Sequence, residues 1–389
     1  MPHILIVSVT AWEGDYLKST VELSKELAAR NEVYFLDFQY SLKDLLAAVL
    51  GRAPHVPWKR MTGLSPRLRK VVLPNGSHVN IYTPRPIIPS FWVGSYRVFS
   101  FLNRINQRIV LKPLARLLRK RGAEPDAIVS ALNPFMGLGV KRYFPGSPHA
   151  YYCFDEIRDA HWLRTFGGEA EDRLFPRLDG AVFTSDHLEK EKGGPIKKTA
   201  VVKNGVHYEA FARHRRQIRP KERPCVGYLG SIDDRFALDM MEEVVKKLDD
   251  YDFHLVGRVV DPRVKKRLEP YDNVSFSPPV AAGEVPPIMG EMDVGIIPYV
   301  RNEFTVAVYP LKVNEYLSVG LPVVMTPFAD LPDFRGLADV ADTAEAFAAA
   351  IRRNASQDNE ERIRERMDFA SANSWTQRSK DLEQFILSL

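Results

Sequence analysis

The sequence predicts an α/β protein with two successive domains, each built on a parallel sheet. Its 389 residues exceed the usual size of a single domain and suit two. Short apolar runs alternate with helical segments in two series, one before residue 204 and one after residue 224. This alternation is typical of parallel sheets covered by helices. The chain is 45% hydrophobic and 26% charged, as ordinary globular proteins are, so it has the apolar surface that two cores require.

The first predicted domain spans residues 1–212 and opens with a βαβ unit. The apolar run His3–Val9 fits a strand buried on both faces, a helix follows before Ala28, and Glu32–Phe38 is the second strand. Further strands are predicted at Ala127–Ser130, Ala150–Phe154, Gly180–Thr184 and Thr199–Lys203. Residues 213–223 are polar and basic with little apolar periodicity, so they are predicted to be a linker.

The second predicted domain spans residues 224–372, where the alternation of strands and helices resumes. Its predicted strands are Cys225–Leu229, Phe253–Val256, Val274–Phe276, Val294–Pro298 and Pro322–Thr326, and its helices include Leu238–Leu248, Pro262–Leu268 and Leu311–Val319. Both domains are therefore expected to be Rossmann-like. Sheets of this kind bind ligands at the carboxyl ends of their strands, so the cleft between the domains is the expected site.

Basic residues are concentrated in one part of the first domain. Residues 51–121 contain 15 Lys or Arg and no Asp or Glu, which leaves 39 basic and 49 acidic residues elsewhere. An anionic membrane face attracts cations and interfacial aromatic side chains, so Trp92, Arg104, Arg108 and Lys112 are the predicted membrane or acceptor face. The alternative is a core-packing helix at Tyr96–Arg121 with a solvated basic face. No nucleic-acid motif accompanies the segment, so a nucleic-acid partner is not expected.

The sequence contains no pattern that indicates a metal site, a disulfide or a membrane span. Cys153 and Cys225 match no disulfide or zinc spacing, and no apolar run reaches ~18 residues. Asp250 and Asp252 imitate a metal-binding Asp-x-Asp motif, but they precede a predicted strand and so lie at the wrong edge of the sheet. No metal or other cofactor is expected. Because the start of the chain lacks the basic region of a signal peptide, the protein is expected to be cytoplasmic, on the inner face of the cell membrane.

The stretch 309–324 carries the clearest signal for ligand binding. Pro310 suits the start of a helix, and Gly320 suits its end. A helix N-terminus offers unpaired N–H groups and a partial positive charge, a seat for a diphosphate that Lys312 would reinforce. Glu315 lies three residues later on the same face and would accept the hydroxyl groups of a ribose. The alternative is that Lys312 and Glu315 form an exposed ion pair and bind no ligand.

The pattern Pro310-x-Lys312-x-x-Glu315-Tyr-Leu-x-x-Gly320 resembles the donor-site helix of GT-B glycosyltransferases of the group 1 or family-4-like kind. The stretches 202–206, 227–231, 255–258, 179–185 and 374–375 also match. The resemblance implies two Rossmann-like domains that face across a cleft, with residues 373–389 as a helix that packs back toward the first domain. It also implies a nucleotide-sugar donor, UDP-linked, on the second domain. With two arginines at strand ends, the expected donor-binding residues are Lys312, Glu315, Tyr309, Pro310, Gly230, Ser231, Arg235 and Arg258.

The sequence departs from the retaining members of that family at one position. Those members carry a glutamate eight residues before the one matched by Glu315, and this chain has Ala307 there. It is therefore more similar to inverting bacterial exopolysaccharide transferases, such as the xanthan glucuronosyltransferase, which use an aspartate of the first domain as base. Asp155 directly follows an apolar strand and is the predicted base, with Glu156 and Asp159 as reserves. The alternative is that Asp155 or Asp159 caps a following helix.

The expected activity is a metal-independent hexosyl or glucuronosyl transfer to a lipid-linked or exopolysaccharide-precursor acceptor. A UDP-sugar 2-epimerase of the same fold would bind the same nucleotide, but it would need no acceptor. A protein that binds nucleotide-sugars or nucleic acid without catalysis is a further alternative, which a salt-dependent shift of an oligonucleotide without nucleotide-sugar binding would indicate.

Overall fold

The computed structural model describes residues 1–14, 18–158, 163, 165–219 and 221–389. The chain divides into two compact units. Unit 1 consists of Met1–Lys203 together with Arg378–Leu389, and unit 2 consists of Asn204–Gln377. Each unit is built on a largely parallel sheet with helices between its strands. The predicted α/β class with two parallel-sheet domains is therefore confirmed.

Unit 1 begins with the βαβ unit that the sequence predicts. Its strands are β1 (His3–Ser8), β2 (Glu32–Leu36), β3 (Leu68–Val72), β4 (His78–Tyr82), β5 (Ala127–Ala131), β6 (His149–Cys153), β7 (Gly180–Phe183) and β8 (Thr199–Val201). Its helices are α1 (Ser19–Leu27), α2 (Leu42–Val49), α3 (Trp58–Thr62), α4 (Tyr96–Lys120), α5 (Pro134–Tyr143), α6 (Gly167–Leu174) and α7 (Asp186–Lys192). The strands lie in the order β3-β4-β2-β1-β5-β6-β7-β8, with β3 antiparallel to β4 and the other neighbours parallel.

The core of unit 1 lies between the sheet and its helices. β1 is central, and Leu5 and Val7 on it are fully buried. Val110, Leu111 and Leu114 of α4 pack in the same cluster, so one face of this 25-residue helix covers the sheet. The opposite face carries arginines at positions such as 104 and 108, which are exposed. The helix predicted over 96–121 therefore packs against the core on one side only.

Unit 2 continues the alternation of helices and strands. Its strands are β9 (Cys225–Leu229), β10 (Asp252–Val256), β11 (Val274–Ser277), β12 (Val294–Ile297), β13 (Val323–Met325) and β14 (Ala338–Val340). Its helices are α8 (Tyr208–Ala212), α9 (Leu238–Lys247), α10 (Pro262–Leu268), α11 (Val285–Gly290), α12 (Leu311–Ser318), α13 (Ala344–Gln357), α14 (Glu360–Ala372) and the start of α15 (Trp375–Leu387). The strand order is β11-β10-β9-β12-β13-β14, and all neighbours are parallel.

The segment 213–223, predicted as a linker, belongs to unit 2, which already begins at Asn204. Arg216 in this segment is 3% exposed, and its guanidinium pairs with Asp358 and with Asp293. A buried arginine needs such partners, and here both of them lie more than 70 residues away in the sequence. The charge of Arg216 is therefore neutralised inside unit 2 rather than solvated.

The last helix, α15, begins in unit 2, and its residues from Arg378 onward are grouped with unit 1. Within unit 1, Glu383 accepts hydrogen bonds of 2.7 Å from the Arg30 guanidinium and of 2.7 Å from the Asn31 amide. These bonds tie the end of the chain to the turn between α1 and β2. In the described part of the chain, no helix combines the length and hydropathy needed to cross a bilayer.

Candidate functional site

Loops at the carboxyl edge of the unit 2 sheet approach one another through glycines. Gly230 follows β9 with φ of +140°, and Gly257 follows β10 with φ of +146°. A Cβ atom at Gly257 would overlap the carbonyl oxygen of Gly230, and one at Gly230 would lie 2.5 Å from Lys312 Nζ. Both positions therefore require glycine, because only glycine adopts these angles readily and leaves this space free. The space at Gly230 is taken by the side chain of Lys312.

Lys312 stands in the first turn of α12, directly behind the predicted helix start at Pro310. Its Nζ donates a hydrogen bond of 2.8 Å to the hydroxyl oxygen of Tyr299. The same ammonium lies 5.2 Å from the ring centre of Tyr228 and 5.5 Å from that of Tyr299. Two aromatic rings thus hold the cation at the N-terminus of the helix. The first N–H groups of a helix have no partner within it, so positive charge and N–H donors meet here.

The two tyrosines have opposite pKa shifts. Burial raises the pKa of Tyr228 well above its ordinary value, and its hydroxyl donates a hydrogen bond of 2.7 Å to the carbonyl oxygen of Ser231. Burial acts in the same direction on Tyr299, but the cations of Lys312 and Arg235 outweigh it and lower the pKa of this tyrosine. The hydroxyl of Tyr299 therefore lies in a strongly positive local field, which also favours a ligand anion.

Glu315 lies one turn after Lys312 on α12 and is half-buried. Burial raises the pKa of its carboxyl group, while the positive charges of Lys312 and His207 oppose that shift. A carboxylate in such a recess is a strong acceptor for ligand hydroxyl groups, because little water competes for it. Lys312 and Glu315 thus lie on the same face of α12, as their spacing predicts, but their side chains do not form a salt bridge with each other.

The two predicted arginines differ in their surroundings. Arg235 donates two hydrogen bonds to Asp233, of 2.8 Å and 2.6 Å, and lies over the Tyr299 ring at 5.2 Å. Its charge is therefore largely satisfied inside the unit. Arg258 is exposed, and its side chain has no ion pair or hydrogen bond with any of the residues described. Its carbonyl accepts a hydrogen bond of 2.9 Å from Ile232, which places Arg258 beside the loop at Gly230.

Tyr309, a predicted donor-binding residue, has a buried side chain. It is 4% exposed, and its ring packs 5.4 Å from that of Phe334. Its carbonyl oxygen accepts a hydrogen bond of 3.1 Å from the Asn204 amide. Tyr309 therefore fixes the chain that leads into α12 instead of facing the open surface. Tyr316 anchors the same helix to the sheet, since its hydroxyl accepts a hydrogen bond of 3.1 Å from the Leu229 backbone.

Asp155 belongs to unit 1, where it lies just beyond β6 at the carboxyl edge of that sheet. It is partly exposed, and its carbonyl oxygen accepts a 3.6 Å hydrogen bond from the Cys153 thiol. On the neighbouring strand, Leu132 has φ of +47°, a strained conformation for a leucine, directly after β5. Strained backbone at strand ends is common at functional sites, so this edge is the candidate acceptor side. Asp159 lies outside the described residues.

Glu156 is part of a buried ion network that Asp155 adjoins in sequence. Lys192 donates hydrogen bonds of 2.9 Å to Glu156 and of 2.8 Å to Glu171. Glu171 is fully buried, burial raises its pKa, and it also accepts a 2.7 Å hydrogen bond from the Tyr151 hydroxyl. Lys192 thus pins the loop that carries Asp155 and Glu156. The position of Glu156 suits support of this loop better than proton transfer.

Sequence reasoning missed several polar residues at the same edge of unit 1. Asn133 caps α5 and donates hydrogen bonds of 2.9 Å to the Ser8 carbonyl and of 2.8 Å to the Gln39 side chain. Asp37 is buried, accepts a 2.9 Å hydrogen bond from the Trp12 backbone, and has a pKa raised by burial. Asp37 directly follows β2 and Asn133 lies two residues after β5, and this position just beyond a strand was the available signal.

The predicted membrane face lies on and before α4. Trp92 is 78% exposed, and its ring nitrogen donates to the Pro89 carbonyl at 3.0 Å. Arg104 and Arg108 are exposed and Lys112 is half-buried on α4. The side chains of these three cations form no ion pair or hydrogen bond with another described residue.

Among the described residues, no group of three or more His, Cys, Asp or Glu side chains is placed so that it could hold a metal ion. Asp250 and Asp252 lie at the amino end of β10, as their order in the sequence predicts, and they pair with Arg352 and Arg223 respectively. Both cysteines are free thiols.

Comparison with known sequence families gives one match, which lies in unit 2. Residues 223–357 match the family described as glycosyl transferases group 1. The matched segment contains the cluster of Gly230, Tyr299, Lys312 and Glu315. No curated protein sequence matches the chain.

Solved structures of glycosyltransferases share the fold of the whole chain. A trehalose-6-phosphate protein from E. coli bound with UDP-2-fluoro glucose has a TM-score of 0.66 at 12% identity, with 99% of each chain covered. A sucrose-phosphate synthase from Thermosynechococcus elongatus has a TM-score of 0.68 at 14% identity, covering 99% of this chain and 98% of that one. A trehalose-6-phosphate synthase studied for glycosyl transfer with retention has a TM-score of 0.65 at 11% identity, covering 100% and 99%. The chain thus has the GT-B fold.

Proposed function

We propose that the protein transfers a sugar from a nucleotide-diphosphate sugar to an acceptor hydroxyl group, with the donor on the group 1 domain. The observation that carries this proposal is the joint position of Lys312 and Glu315 at the start of α12, beside Gly230. A cation, free helix N–H groups and a close glycine backbone are what a diphosphate requires. A partly accessible carboxylate one turn later suits the hydroxyl groups of a ribose. The similar E. coli protein binds a UDP-sugar analogue, which supports UDP as the nucleotide.

In this proposal the leaving group is UDP. As the bond between the anomeric carbon and the diphosphate oxygen breaks, negative charge collects on the diphosphate. Lys312 and the N-terminus of α12 would stabilise this charge. Arg258, which is exposed beside the Gly230 loop, is a better further partner for the diphosphate than Arg235, whose guanidinium is already paired with Asp233.

Asp155 is the proposed general base. The acceptor oxygen attacks the anomeric carbon, its proton passes to the Asp155 carboxylate, and UDP departs with the bonding electron pair. Support comes from the place of Asp155 at the carboxyl edge of the unit 1 sheet and from Glu156 being held by Lys192. This mechanism inverts the anomeric configuration, which Ala307 favours, since a second acid is missing eight residues before Glu315. The similar synthase that acts with retention makes the product configuration worth measuring directly.

The proposed transfer is of a hexosyl or glucuronosyl group, and the proposed acceptor is a lipid-linked saccharide or exopolysaccharide precursor. The basic and aromatic surface of unit 1 supports it, because such an acceptor holds its reactive sugar close to a bilayer. Peripheral binding to an anionic membrane through this surface would bring enzyme and acceptor together.

A thermal-shift screen of nucleotide sugars tests the proposal. A ligand that binds only the folded protein raises the unfolding midpoint, so the donor is expected to give the largest shift among UDP-, GDP- and dTDP-linked sugars. Calorimetry should then give a dissociation constant for UDP, and nuclear magnetic resonance of the product should give the anomeric configuration. If no nucleotide or nucleotide sugar shifts the midpoint or binds by calorimetry, the proposal is wrong.

A further inference from the structure

A groove of about 460 Å³ runs along α4 in unit 1. Arg85 lies in its wall on the segment that follows β4, and Arg108, Lys112 and Arg116 lie on the helix side. The spacing of the three helical cations, four residues each, places them along one side of α4. The groove therefore collects four positive charges from two separate parts of the chain.

These four charges are not neutralised by the protein. None of the four side chains forms an ion pair or hydrogen bond with another residue in the ranges the structure describes. The surrounding sequence supplies no carboxylate to neutralise them, since residues 51–121 contain no Asp or Glu. Cations gathered in one groove repel each other, and arginine in particular matches phosphate oxygens with paired N–H donors. The groove thus fits an anion, and phosphate best.

The rest of the groove is apolar. Ile105, Ile109 and Pro113 of α4 line it, together with Pro86 on the opposite wall. A free phosphate ion would bury none of this apolar surface, whereas the hydrocarbon part of an amphiphile would pack on it and remove it from water. The composition of the groove therefore favours a phosphate group that carries an apolar tail.

A second apolar surface adjoins the groove on α2. Leu42, Leu46, Val49 and Leu50 are each at least 50% exposed, and their spacing places them on one face of this helix. The Leu42 backbone donates a 2.9 Å hydrogen bond to the Ile87 carbonyl, next to the groove wall. The following residue, Ile88, donates a 2.9 Å hydrogen bond to Asn106 of α4. Hydrogen bonds thus link the start of α2, the groove wall and α4.

We propose that the groove binds the phosphate headgroup of an anionic phospholipid in a bilayer, and that the exposed face of α2 enters the region of the acyl chains. The positive charges of the groove favour an anionic headgroup, and burial of the apolar face of α2 among the acyl chains stabilises the bound state. The inference sharpens the membrane part of the proposed function, but it does not depend on glycosyl transfer. It differs from diffuse attraction between a basic surface and a membrane, because it assigns the strongest contacts to particular arginines.

Two charge-matched double variants separate the groove from diffuse attraction. Arg85→Gln/Arg116→Gln removes two groove arginines, and Arg97→Gln/Arg104→Gln removes two exposed arginines of α4 that do not line the groove. Binding is measured by co-sedimentation with vesicles of equal parts phosphatidylglycerol and phosphatidylcholine. The groove pair is expected to lose at least about tenfold more affinity than the control pair, because it loses charge-assisted hydrogen bonds as well as Coulomb attraction. Equal losses of vesicle affinity in the two double variants would overturn the proposal that the groove binds the headgroup.

The apolar contact has its own test. At high salt, where the charges are screened, the wild-type protein should keep residual binding to the same vesicles, and Leu46→Gln/Leu50→Gln should lose it. Val260→Gln/Val340→Gln, at exposed positions of unit 2, is the matched control and should keep it. Undiminished residual binding in the α2 variant would show that α2 does not enter the bilayer.

The source of the phosphate and the independence from catalysis are checked on the same proteins. Vesicles of phosphatidylcholine alone should bind weakly, and inorganic phosphate should compete only as a general salt does. Release by phosphate well beyond that of chloride at equal ionic strength would make free phosphate the ligand and overturn the lipid. UDP affinity should be the same in all variants and wild type. A wild-type protein that binds vesicles but not UDP would contradict the proposed transferase and leave the lipid site standing.

Discussion

The ammonium group of Lys312 donates a 2.8 Å hydrogen bond to the hydroxyl group of Tyr299. Lys312 belongs to the first turn of α12 and Tyr299 follows β12, so this bond ties the helix N-terminus to the edge of the sheet. The long lysine side chain is thereby held in place before any ligand arrives. A side chain that is already ordered loses less conformational freedom on binding, which strengthens its contact with an anion.

Lys312→Ala is expected to weaken UDP binding by about 1.5–3 kcal/mol, the usual value of a hydrogen bond to a charged group. The same variant should lose a similar amount of affinity for pyrophosphate, because the contact is to the diphosphate. Calorimetry measures both. Lys266→Ala, at an exposed position of α10 without a partner among the described residues, is the control and should bind UDP as the wild type does. Wild-type UDP affinity in the Lys312 variant would remove α12 from the donor site.

Glu315→Gln is expected to raise stability at neutral pH and to weaken nucleoside binding. The folded state raises the pKa of Glu315, so it holds the carboxyl proton more tightly than the unfolded state does. Stability therefore falls as the pH rises from the ordinary carboxyl pKa through the raised one, and glutamine avoids that loss. The variant should melt at a higher temperature than the wild type at pH 7, with the difference vanishing at pH values below the ordinary carboxyl pKa.

The binding half of this prediction has a separate measurement. Affinity for UDP should fall in Glu315→Gln, while affinity for pyrophosphate should stay close to that of the wild type. Glu303→Gln, at an exposed position, is the matched control for both stability and binding. Equal melting temperatures of the Glu315 variant and the wild type across the pH range would show that burial costs this carboxylate nothing.

Repeating apolar patterns made most of the parallel strands predictable. Two elements have the predicted bounds, the strand Cys225–Leu229 and the helix Pro262–Leu268. The strand coincides with a short buried run, and the helix begins at a proline and ends in a basic turn. The antiparallel pair β3 and β4 was not predicted, since β3 is an edge strand with three of its five residues partly buried and two exposed. Its signal was the turn residues Asn75 and Gly76 between two β-prone runs.

In the candidate site, contacts within one helix could be predicted from the sequence, whereas contacts between distant segments could not. Spacing on one helix placed Lys312 and Glu315 together, because helical periodicity fixes which residues share a face. The tyrosines that flank Lys312 come from β9 and from the loop after β12, so only the strand order of the sheet brings them there. The buried pairs of Arg216 were hidden for the same reason, since its partners come from distant parts of unit 2.

Lys192→Met is expected to destabilise the protein by about 3–5 kcal/mol, because it leaves the fully buried carboxyl group of Glu171 without its cation. Without Lys192 the pKa of Glu171 should rise further, so the loss of stability should grow as the pH rises and shrink as the pH falls. Urea unfolding at several pH values measures it. Adding Glu171→Gln to the variant should recover much of the loss. A single variant as stable as the wild type would show that the network does not hold the loop.

Asp155→Asn is expected to lower turnover by about 10²–10⁴, the range for a lost general base, and to leave the fold and the UDP affinity unchanged. Glu156→Gln is the matched control, one residue away with the same loss of charge, and should lower turnover much less because Glu156 is bonded to Lys192. Turnover close to that of the wild type in Asp155→Asn, with the anomeric configuration of the donor kept in the product, would show that transfer proceeds with retention and without this base.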